Sequence, residues 1–306
     1  MPVATHTRSI VLLLLTMVVW GSTFVVTKEL IRFWPPFTLA FVRVAIGSLV
    51  LLPLALTRHR RDVRLPWPTI LFMGLIGVAL YYITFNIAML YTSASQGALV
   101  QSCIPAMTAL VAVVWLRERA SSLRWVGIAL SVIGVMIVFS GNVSSDDTAG
   151  GSSAALFGNL LMFASVVCWA LYTSLAKRVA DFDSIVITVC VTGSGALMLL
   201  PLAGYEVATD GLQPLPLMSW VGVLYLGGVA SGLAYSLYNA SLRHLDASEV
   251  GVYTNLIPVV GVLTGVIMLG EPLSMRAIVG GAVVMLGVWV TGRAERSPAT
   301  APSMQP

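Results

Sequence analysis

Charge is scarce in this sequence, and its scarcity excludes most soluble proteins. Only 10% of the 306 residues are charged, whereas 58% are hydrophobic and the mean hydropathy is +0.91. A soluble globular domain carries roughly 25% charged residues, so a chain this long and this apolar could not cover its surface with polar groups. The sequence therefore predicts an integral membrane protein whose main partner is the lipid bilayer.

Other features that the sequence lacks narrow its function. It has no Walker A pattern for ATP hydrolysis. Its three cysteines lie in separate apolar runs without the spacing of a metal site, and its three histidines lie near the ends of such runs. No basic patch is interleaved with aromatic residues, as nucleic-acid binding requires. We therefore expect no enzymatic activity, no cofactor, no metal and no nucleic-acid partner.

Two stretches of the sequence match each other without a gap at a fixed offset of 153 residues. Residues 104–135 contain an internal proline, a polar corner with a glutamate and a glycine-studded apolar run, and residues 257–288 repeat that order. The match extends backwards to Tyr82 and Asn86, which correspond to Tyr235 and Asn239. Such self-similarity indicates a duplicated structural unit.

Apolar runs of about 20 residues are long enough to cross a bilayer as helices. Ten runs of this kind are present, at about residues 9–29, 36–57, 68–91, 94–116, 122–140, 155–177, 184–204, 217–241, 247–269 and 273–292. We predict an all-α integral membrane fold with ten transmembrane helices in two five-helix repeats. The repeats cover residues 9–140 and 155–292, with a linker at 141–154 and a disordered tail at 293–306.

The distribution of lysine and arginine predicts the orientation of these spans. With the N-terminus inside, thirteen of the seventeen basic residues fall on the cytoplasmic side and three outside, as the positive-inside rule favours. Both termini would then be cytoplasmic, in a bacterial-type inner membrane. Because each repeat has an odd number of spans, the second repeat is expected to be inverted. Inverted repeats are typical of transporters with alternating access and a midplane binding site.

Polar and aromatic residues at similar depth in both repeats are the candidate substrate-binding residues. Tyr82 and Asn86 are four residues apart and share a helix face, as do Tyr235 and Asn239. An asparagine facing lipid would be unsatisfied, so each amide either lines a cavity or bonds a neighbouring helix. We expect the cavity among spans 1, 3, 4, 6, 8 and 9, where four further residues complete the set: Trp20, Ser102, Trp169 and Asn255.

Arg43 is the only charge well inside a predicted span, seven residues after Pro36 and therefore about 10 Å deep. Its side chain either extends to the headgroups or acts as the counter-charge for an anionic substrate group such as a carboxylate. Lys28, at the end of the first span, is expected to keep its ammonium group in water. No aspartate or glutamate lies in the middle of a predicted span, so proton coupling through an intramembrane acid has no sequence signal.

Prolines and glutamates occupy equivalent positions in the two repeats. Pro105 and Pro258 lie about ten residues into spans 4 and 9, where proline kinks a helix; each kink either shapes or flexes the cavity or is simply tolerated. Glu118 and Glu271 are interpreted as structural. Each precedes a span whose positive end a carboxylate would complement, with Ser121 and Ser274 as N-caps.

One set of residues recurs in both halves, first as Trp20-Gly21-Ser22, Arg43, Pro105, Glu118, Gly127 and Gly134, and then as Trp169, Pro258, Gly270-Glu271-Pro272, Gly280 and Gly287. This pattern resembles the EamA family of the drug/metabolite transporter superfamily, over about residues 10 to 292. The resemblance implies a ten-helix inner-membrane carrier that exports small metabolites, commonly amino acids. The second copy departs from it, with Thr192 at the position of Arg43 and Ala170-Leu171 after Trp169, so the halves need not contribute equally.

Composition, repeat and resemblance together predict a secondary transporter that moves a small polar or amphipathic solute by alternating access. A structural or sensor-like membrane protein is the alternative, although such a protein would not need polar residues duplicated at midplane depth.

Overall fold

The structure, a computed structural model, describes residues 3–58, 64–115, 117, 120–140, 151–179, 181–211, 215–235, 237–238 and 253–296, without the side chains of 3–6, 151–152, 177 and 294–296. In this part of the chain the regular structure is helical throughout. Large apolar side chains cover the outside of the helices, with Leu56 68%, Ile267 78% and Leu217 83% exposed. An apolar exterior of this kind suits lipid rather than water.

We number the helices in chain order as α1 (Val3–Leu30), α2 (Pro36–Arg58), α3 (Trp67–Tyr91), α4 (Ala94–Val114), α5 (Ser122–Ser140), α6 (Gly151–Ala176), α7 (Ser184–Asp210), α8 (Leu217–Leu233), α9 (Leu256–Leu269) and α10 (Met275–Arg296). Eight of them are long and apolar enough to cross a membrane. The two shorter apolar helices, α8 and α9, flank residues 239–252, which lie outside the described part.

The helices differ from the predicted spans mainly at their ends. Helix α1 begins at Val3, ahead of the predicted residue 9, and α6 begins at Gly151, inside the predicted linker. Helix α10 continues to Arg296, so the first four residues of the predicted tail are helical. The rest of the linker and of the tail lie outside the described residues. Counting apolar residues detects only the part of a helix that needs lipid, and a helix can extend beyond it into water.

Helices α5 and α10 pack along two pairs of glycines. A Cβ atom on Gly134 would lie 2.6 Å from the Val284 nitrogen and 2.7 Å from the Gly280 oxygen, and Gly127 faces Gly287 in the same way. As residue numbers rise along α5 they fall along α10, so the two helices run antiparallel. Small residues allow this backbone contact, which drives helix association in membranes. We call this contact the seam.

Helices α2 and α7 form a second antiparallel pair. Ser48 Oγ donates to Thr192 Oγ1 at 2.6 Å in the middle of the pair. At one end, Arg58 lies 3.7 Å from Asp183, and at the other end Glu206 accepts from Thr38. Further contacts cross between the halves of the chain, with α1 packed on α9, α4 on α6 and α9, α2 on α8 and α3 on α6 and α7. Within the first half, α3 packs on α2, and α4 packs on α1 and α5.

Wide helical turns interrupt α3 and α8 at equivalent places. The turns are π-helical and span Leu75–Leu80 in α3 and Tyr225–Leu233 in α8. Such turns shift the hydrogen-bond register by one residue and leave carbonyl groups free for other partners. They also rotate every later side chain around the helix axis, so a face deduced from a regular helical period no longer applies beyond them.

Candidate functional site

A small cavity lies between five helices near the middle of the fold. Four of these helices contribute hydroxyl groups, from Tyr82, Tyr172, Thr188, Thr192, Ser231 and Tyr235, and the rest is lined by Val44, Gly47, Gly77, Val78 and Trp169. Its volume of about 20 Å³ gives room for about one water molecule. Helices α2, α3, α6, α7 and α8 thus enclose it, whereas the sequence favoured α1, α4 and α9 in place of α2 and α7.

Arg43 is buried beside this cavity, on the turn of α2 that precedes Val44. The side chain is 6% exposed, and its guanidinium lies over the Tyr82 ring at 4.7 Å from the ring centre. Its Nε atom has no hydrogen-bond partner. A cation held over an aromatic face gains some attraction, but far less than a carboxylate would supply. Arg43 is therefore held inside the helix bundle, and no acidic side chain of the described residues forms an ion pair with it.

An aromatic cluster forms the wall of the cavity on the α3 and α6 side. The Trp169 ring lies 5.1 Å from both Tyr81 and Tyr172, and Tyr81 in turn lies 5.0 Å from Tyr82. Gln101 of α4 donates to the Tyr81 hydroxyl at 3.2 Å and to Ser165 Oγ at 3.1 Å. These bonds hold the cluster against α4 and α6. Tyr81 and Gln101 were not singled out by the sequence, since neither has an equivalent residue in the other half.

Trp20 occupies the corresponding place on the α8 side, but it is bonded differently. Its Nε1 donates to the Ala230 carbonyl at 3.0 Å, a group within the wide turn of α8. Its ring packs 5.3 Å from Tyr235 and 5.2 Å from Tyr238. Ser22, two residues on, bonds the Tyr225 hydroxyl at 2.6 Å. Trp20 and Tyr235 therefore lie together, and both are tied to α8.

Of four further predicted site residues, the three that the structure describes lie away from the cavity lining. Asn86 is fully buried and donates to the Pro36 carbonyl at 2.9 Å, which joins α3 to the start of α2. Ser102 donates to the carbonyl of Leu99 in its own helix, and Asn255 is half-buried at the start of α9. The fourth, Asn239, lies outside the described residues. Asn86 is thus bonded to a neighbouring helix, which is the second of the two alternatives for it.

Both prolines follow an interruption of their helix. Helix α4 breaks at Ser102–Cys103, two residues before Pro105, and the helical turns around Asn255 break three residues before Pro258. The ring of Pro105 is exposed toward the lipid side, whereas Pro258 is buried. The breaks thus lie at equivalent positions, but the two rings face different surroundings.

Glu271 binds the start of a helix, though not the one expected. Its carboxylate accepts from the backbone nitrogens of Ala94 and Ser95 at 2.7 and 2.8 Å, and so caps α4 rather than the α10 helix that follows it. Gly270, with a φ of +65°, allows this because the left-handed residue ends α9 and turns the chain back. Ser274 and Ser121 do cap their own helices, as predicted. Glu118 lies outside the described residues.

Lys28 lies at the other side of the same corner. Its Nζ donates to the carbonyls of Met89 and Thr92, at 2.6 and 2.7 Å, where α3 ends. The expectation of an ammonium group in water is therefore wrong. A cation at the C-terminal end of α3 and a carboxylate at the N-terminal end of α4 each complement the local helix dipole, and together they fix the α3–α4 corner.

Glu206 plays a similar part and was missed. It is 6% exposed and accepts from Phe37 N, Thr38 N and Thr38 Oγ1 at 3.2, 2.7 and 2.8 Å, at the start of α2. The sequence ended this span at residue 204, before the glutamate. A signal was available, since α2 begins at Pro36 without a capping side chain of its own nearby. Within the described residues, no three histidine, cysteine or acidic side chains come together as metal ligands.

Long apolar helices around a buried polar cavity define a multi-pass α-helical membrane protein. The chain belongs to the EamA-like transporter family, whose model matches residues 7–140 and again residues 156–293. This match confirms the resemblance, and it makes the protein a membrane transporter rather than an enzyme.

Several named relatives are similar over most of their length. An uncharacterized transporter of Archaeoglobus fulgidus is 27% identical, with 92% of this chain and 98% of the relative covered. The uncharacterized transporter YetK of Bacillus subtilis is 29% identical, with coverage of 94% and 88%. A probable amino-acid metabolite efflux pump of Salmonella typhimurium is 27% identical, with coverage of 91% and 93%. A solved crystal structure, 22% identical, shares the fold with a TM-score of 0.62 over 93% of this chain and 97% of that one.

Proposed function

We propose that this protein is a secondary transporter of the inner membrane that exports small amphipathic metabolites, such as amino acids or related solutes, by alternating access. The observation that carries the proposal is Arg43, a buried cation that lies beside a hydroxyl-lined cavity and forms no ion pair with any acidic side chain of the described residues. An unpaired charge in a membrane interior is costly, so a site that keeps one is built for a ligand. The printed name of the Salmonella typhimurium relative, an amino-acid metabolite efflux pump, supports the direction and the substrate class.

We further propose ten membrane spans arranged as two inverted five-helix repeats, residues 9–140 and 155–292, with both termini in the cytoplasm. The antiparallel packing of α5 on α10 and of α2 on α7 supports this arrangement, because each pair joins equivalent helices of the two repeats. The first helix of each repeat also packs on the fourth helix of the other repeat, α1 on α9 and α6 on α4. Two equivalent halves give a carrier two related conformations, one open to each side.

We assign substrate contact to Arg43, Tyr82, Trp169 and Tyr235, with Trp20 behind Tyr235. Asn86, Ser102, Asn239 and Asn255 are proposed to border the path that the solute takes when the helices separate, and Pro105 and Pro258 to mark where α4 and α9 bend. Glu118 and Glu271 are proposed to be structural. A cavity for about one water molecule is far smaller than the roughly 300 Å³ of an ordinary ligand pocket, so a solute enters only after such a movement.

Solute counterflow in proteoliposomes tests the proposal. Proteoliposomes that hold the full chain are loaded with a panel of unlabelled amino acids and amphipathic carboxylates, and uptake of the labelled solutes is measured. We expect Arg43→Gln to reduce flux at least tenfold, since it removes a charge-assisted contact. Arg32→Gln is the matched control, because this arginine is 62% exposed and pairs with Glu29 at the surface. Equal flux in all three proteins would remove Arg43 from the site, and no flux of any solute would favour the structural or sensor alternative.

A further inference from the structure

We infer that the Arg43 cavity selects carboxylates of net charge −1 that carry a neutral hydrogen-bond donor, in preference to zwitterionic amino acids of the same shape. The inference rests on the proposed transport function and narrows its substrate class.

The first argument is that the cavity has a place for one negative charge. Arg43 is 6% exposed and its guanidinium lies over the Tyr82 ring, and within the described residues its Nε lacks a hydrogen-bond partner. A guanidinium offers a planar fork that matches a carboxylate. The phenol groups of Tyr82, Tyr172 and Tyr235 line the same space, and each carries a hydroxyl that can donate to the same anion.

The second argument is that no carboxylate of the described residues lies beside the cavity to pair with a ligand's ammonium group. Among the described residues, the acidic side chains lie at helix ends and are engaged or exposed in those places. Glu206 binds the start of α2, Glu271 binds the start of α4, and Asp183 caps α7 and lies near Arg58. Glu29 pairs with Arg32 at the surface, and Asp181 and Asp210 are exposed. Among the described residues, the ammonium of a zwitterion would therefore meet the positive charge of Arg43 and no carboxylate.

The size of the effect follows from simple electrostatics. An ammonium about 6 Å from the guanidinium, at an effective dielectric constant of about 20, is repelled enough to weaken binding about a hundredfold. The aromatic rings offset part of this through cation–π attraction. We therefore expect a net preference of about tenfold for the monoanion.

The third argument concerns the hydroxyl groups that α7 and α8 contribute to the cavity lining. Thr188 Oγ1 already donates to the Ser184 carbonyl at 2.7 Å, and Ser231 Oγ donates to Leu226 at 2.9 Å. Each hydroxyl has one hydrogen, so toward the cavity these groups offer only acceptor lone pairs. A neutral donor on the ligand, such as a hydroxyl, satisfies them without adding charge. A 2-hydroxy acid supplies both a carboxylate for Arg43 and a hydroxyl for these acceptors, once the helices have separated to admit it.

Pairs of probes that differ only in this group provide the test. Phenyllactate is compared with phenylalanine, and 2-hydroxyisocaproate with leucine, in proteoliposomes holding the full chain at about pH 7.5, where the carboxylates are ionised and the amines protonated. Protein-free vesicles correct for diffusion of the protonated acids. We expect each hydroxy acid to be transported with about tenfold higher kcat/KM than its amino acid. Arg43→Lys should keep the preference, and Arg43→Gln should reduce it below about twofold, with melting temperatures showing that both variants fold.

The results separate this inference from the proposed function. If the wild-type protein transports each amino acid as well as or better than its hydroxy acid, the charge preference is overturned and transport stands. If Arg43→Gln folds and keeps the preference, the arginine is not its source and the inference also fails. If no member of any pair is transported and none raises the melting temperature of the protein, transport of carboxylates is overturned together with the preference.

Discussion

The seam between α5 and α10 and the cavity around Arg43 join the same two halves of the chain in different ways. At the seam, residues that are 153 positions apart do the same work, because Gly127 and Gly134 meet glycines of the equivalent pair. At the cavity, Tyr82 and Tyr235 keep that equivalence, but Arg43 has Thr192 as its counterpart. Close backbone packing requires equal residues on both sides, whereas recognition of an asymmetric solute requires unequal ones.

The seam should give the largest loss of stability when it is altered. Gly134→Ala adds a Cβ atom within 2.7 Å of two backbone atoms of α10, which only a shift of the helices can relieve. We expect a cost of about 3 kcal/mol in the free energy of unfolding, measured in mixed detergent. Gly204→Ala is the control, because its Cβ would meet nothing within 4 Å and should stabilise α7 by about 0.5–1 kcal/mol. If Gly134→Ala and Gly204→Ala change the free energy of unfolding by the same amount, the seam does not hold the halves together.

Glu206 and Glu271 each bind the start of a helix, and the loss of stability on removing each should follow the number of hydrogen bonds that it accepts. Glu206 accepts three hydrogen bonds and Glu271 accepts two. Removing either leaves helix N–H groups unpaired, so we expect Glu206→Ala to cost about 3 kcal/mol and Glu271→Ala about 2 kcal/mol. Glu29→Ala, at an exposed pair, should cost less than about 0.5 kcal/mol. Chemical unfolding of the three variants gives the order, and a reversal between Glu206 and Glu271 would contradict the hydrogen-bond account.

The equivalent tryptophans should show the asymmetry of the cavity on a smaller scale. Trp20→Phe loses the bond from Nε1 to the Ala230 carbonyl, whereas no such bond is recorded for Trp169. Both changes remove similar ring volume, so their difference isolates the hydrogen bond. We expect Trp20→Phe to be about 1 kcal/mol more destabilising than Trp169→Phe in thermal unfolding. Matching melting temperatures for the two variants would show that the wide turn of α8 does not need Trp20.

The smallest effect is expected at the corners after α4 and α9. Arg117 has a φ of +56° and Gly270, 153 residues later, has a φ of +65°. A left-handed backbone costs a residue with a Cβ atom about 1 kcal/mol more than glycine. Arg117→Gly should therefore stabilise the protein by about 0.5–1 kcal/mol, and Gly270→Ala should destabilise it by about 1 kcal/mol. Arg117→Ala is the control for loss of the arginine side chain, and a gain as large as that of glycine would refute the backbone explanation.

The sequence predicted the parts of this protein that depend on composition along the chain. Apolar runs located the helices, and the glycines repeated at the 153-residue offset lie where α5 and α10 pack closely, although the sequence did not indicate which helices they join. Arg43 was found because a single charge in an apolar run is conspicuous. These signals are local, and each is visible without knowing which helices touch.

The contacts that join distant parts of the chain could not be predicted in the same way. Asn86 was placed in the right helix, but its partner, the Pro36 carbonyl, depends on how α3 is rotated against α2. The wide turn at Leu75–Leu80 changes that rotation and has no reliable sequence signal. Glu271 was expected to act on the next helix, whereas the chain reversal at Gly270 directs it to α4, 177 residues earlier.

The seam also has a consequence for the covalent connection between the two halves of the chain. Helix α5 ends the first half and α10 ends the second, and they meet through contacts that lie entirely within the two helices. Since these contacts need no residue of the connecting segment, the contribution expected of the covalent link is to raise the effective concentration of one half near the other. Two polypeptides produced separately, divided between residues 141 and 150, would find each other in the bilayer along bare backbone and rebuild the same molecule.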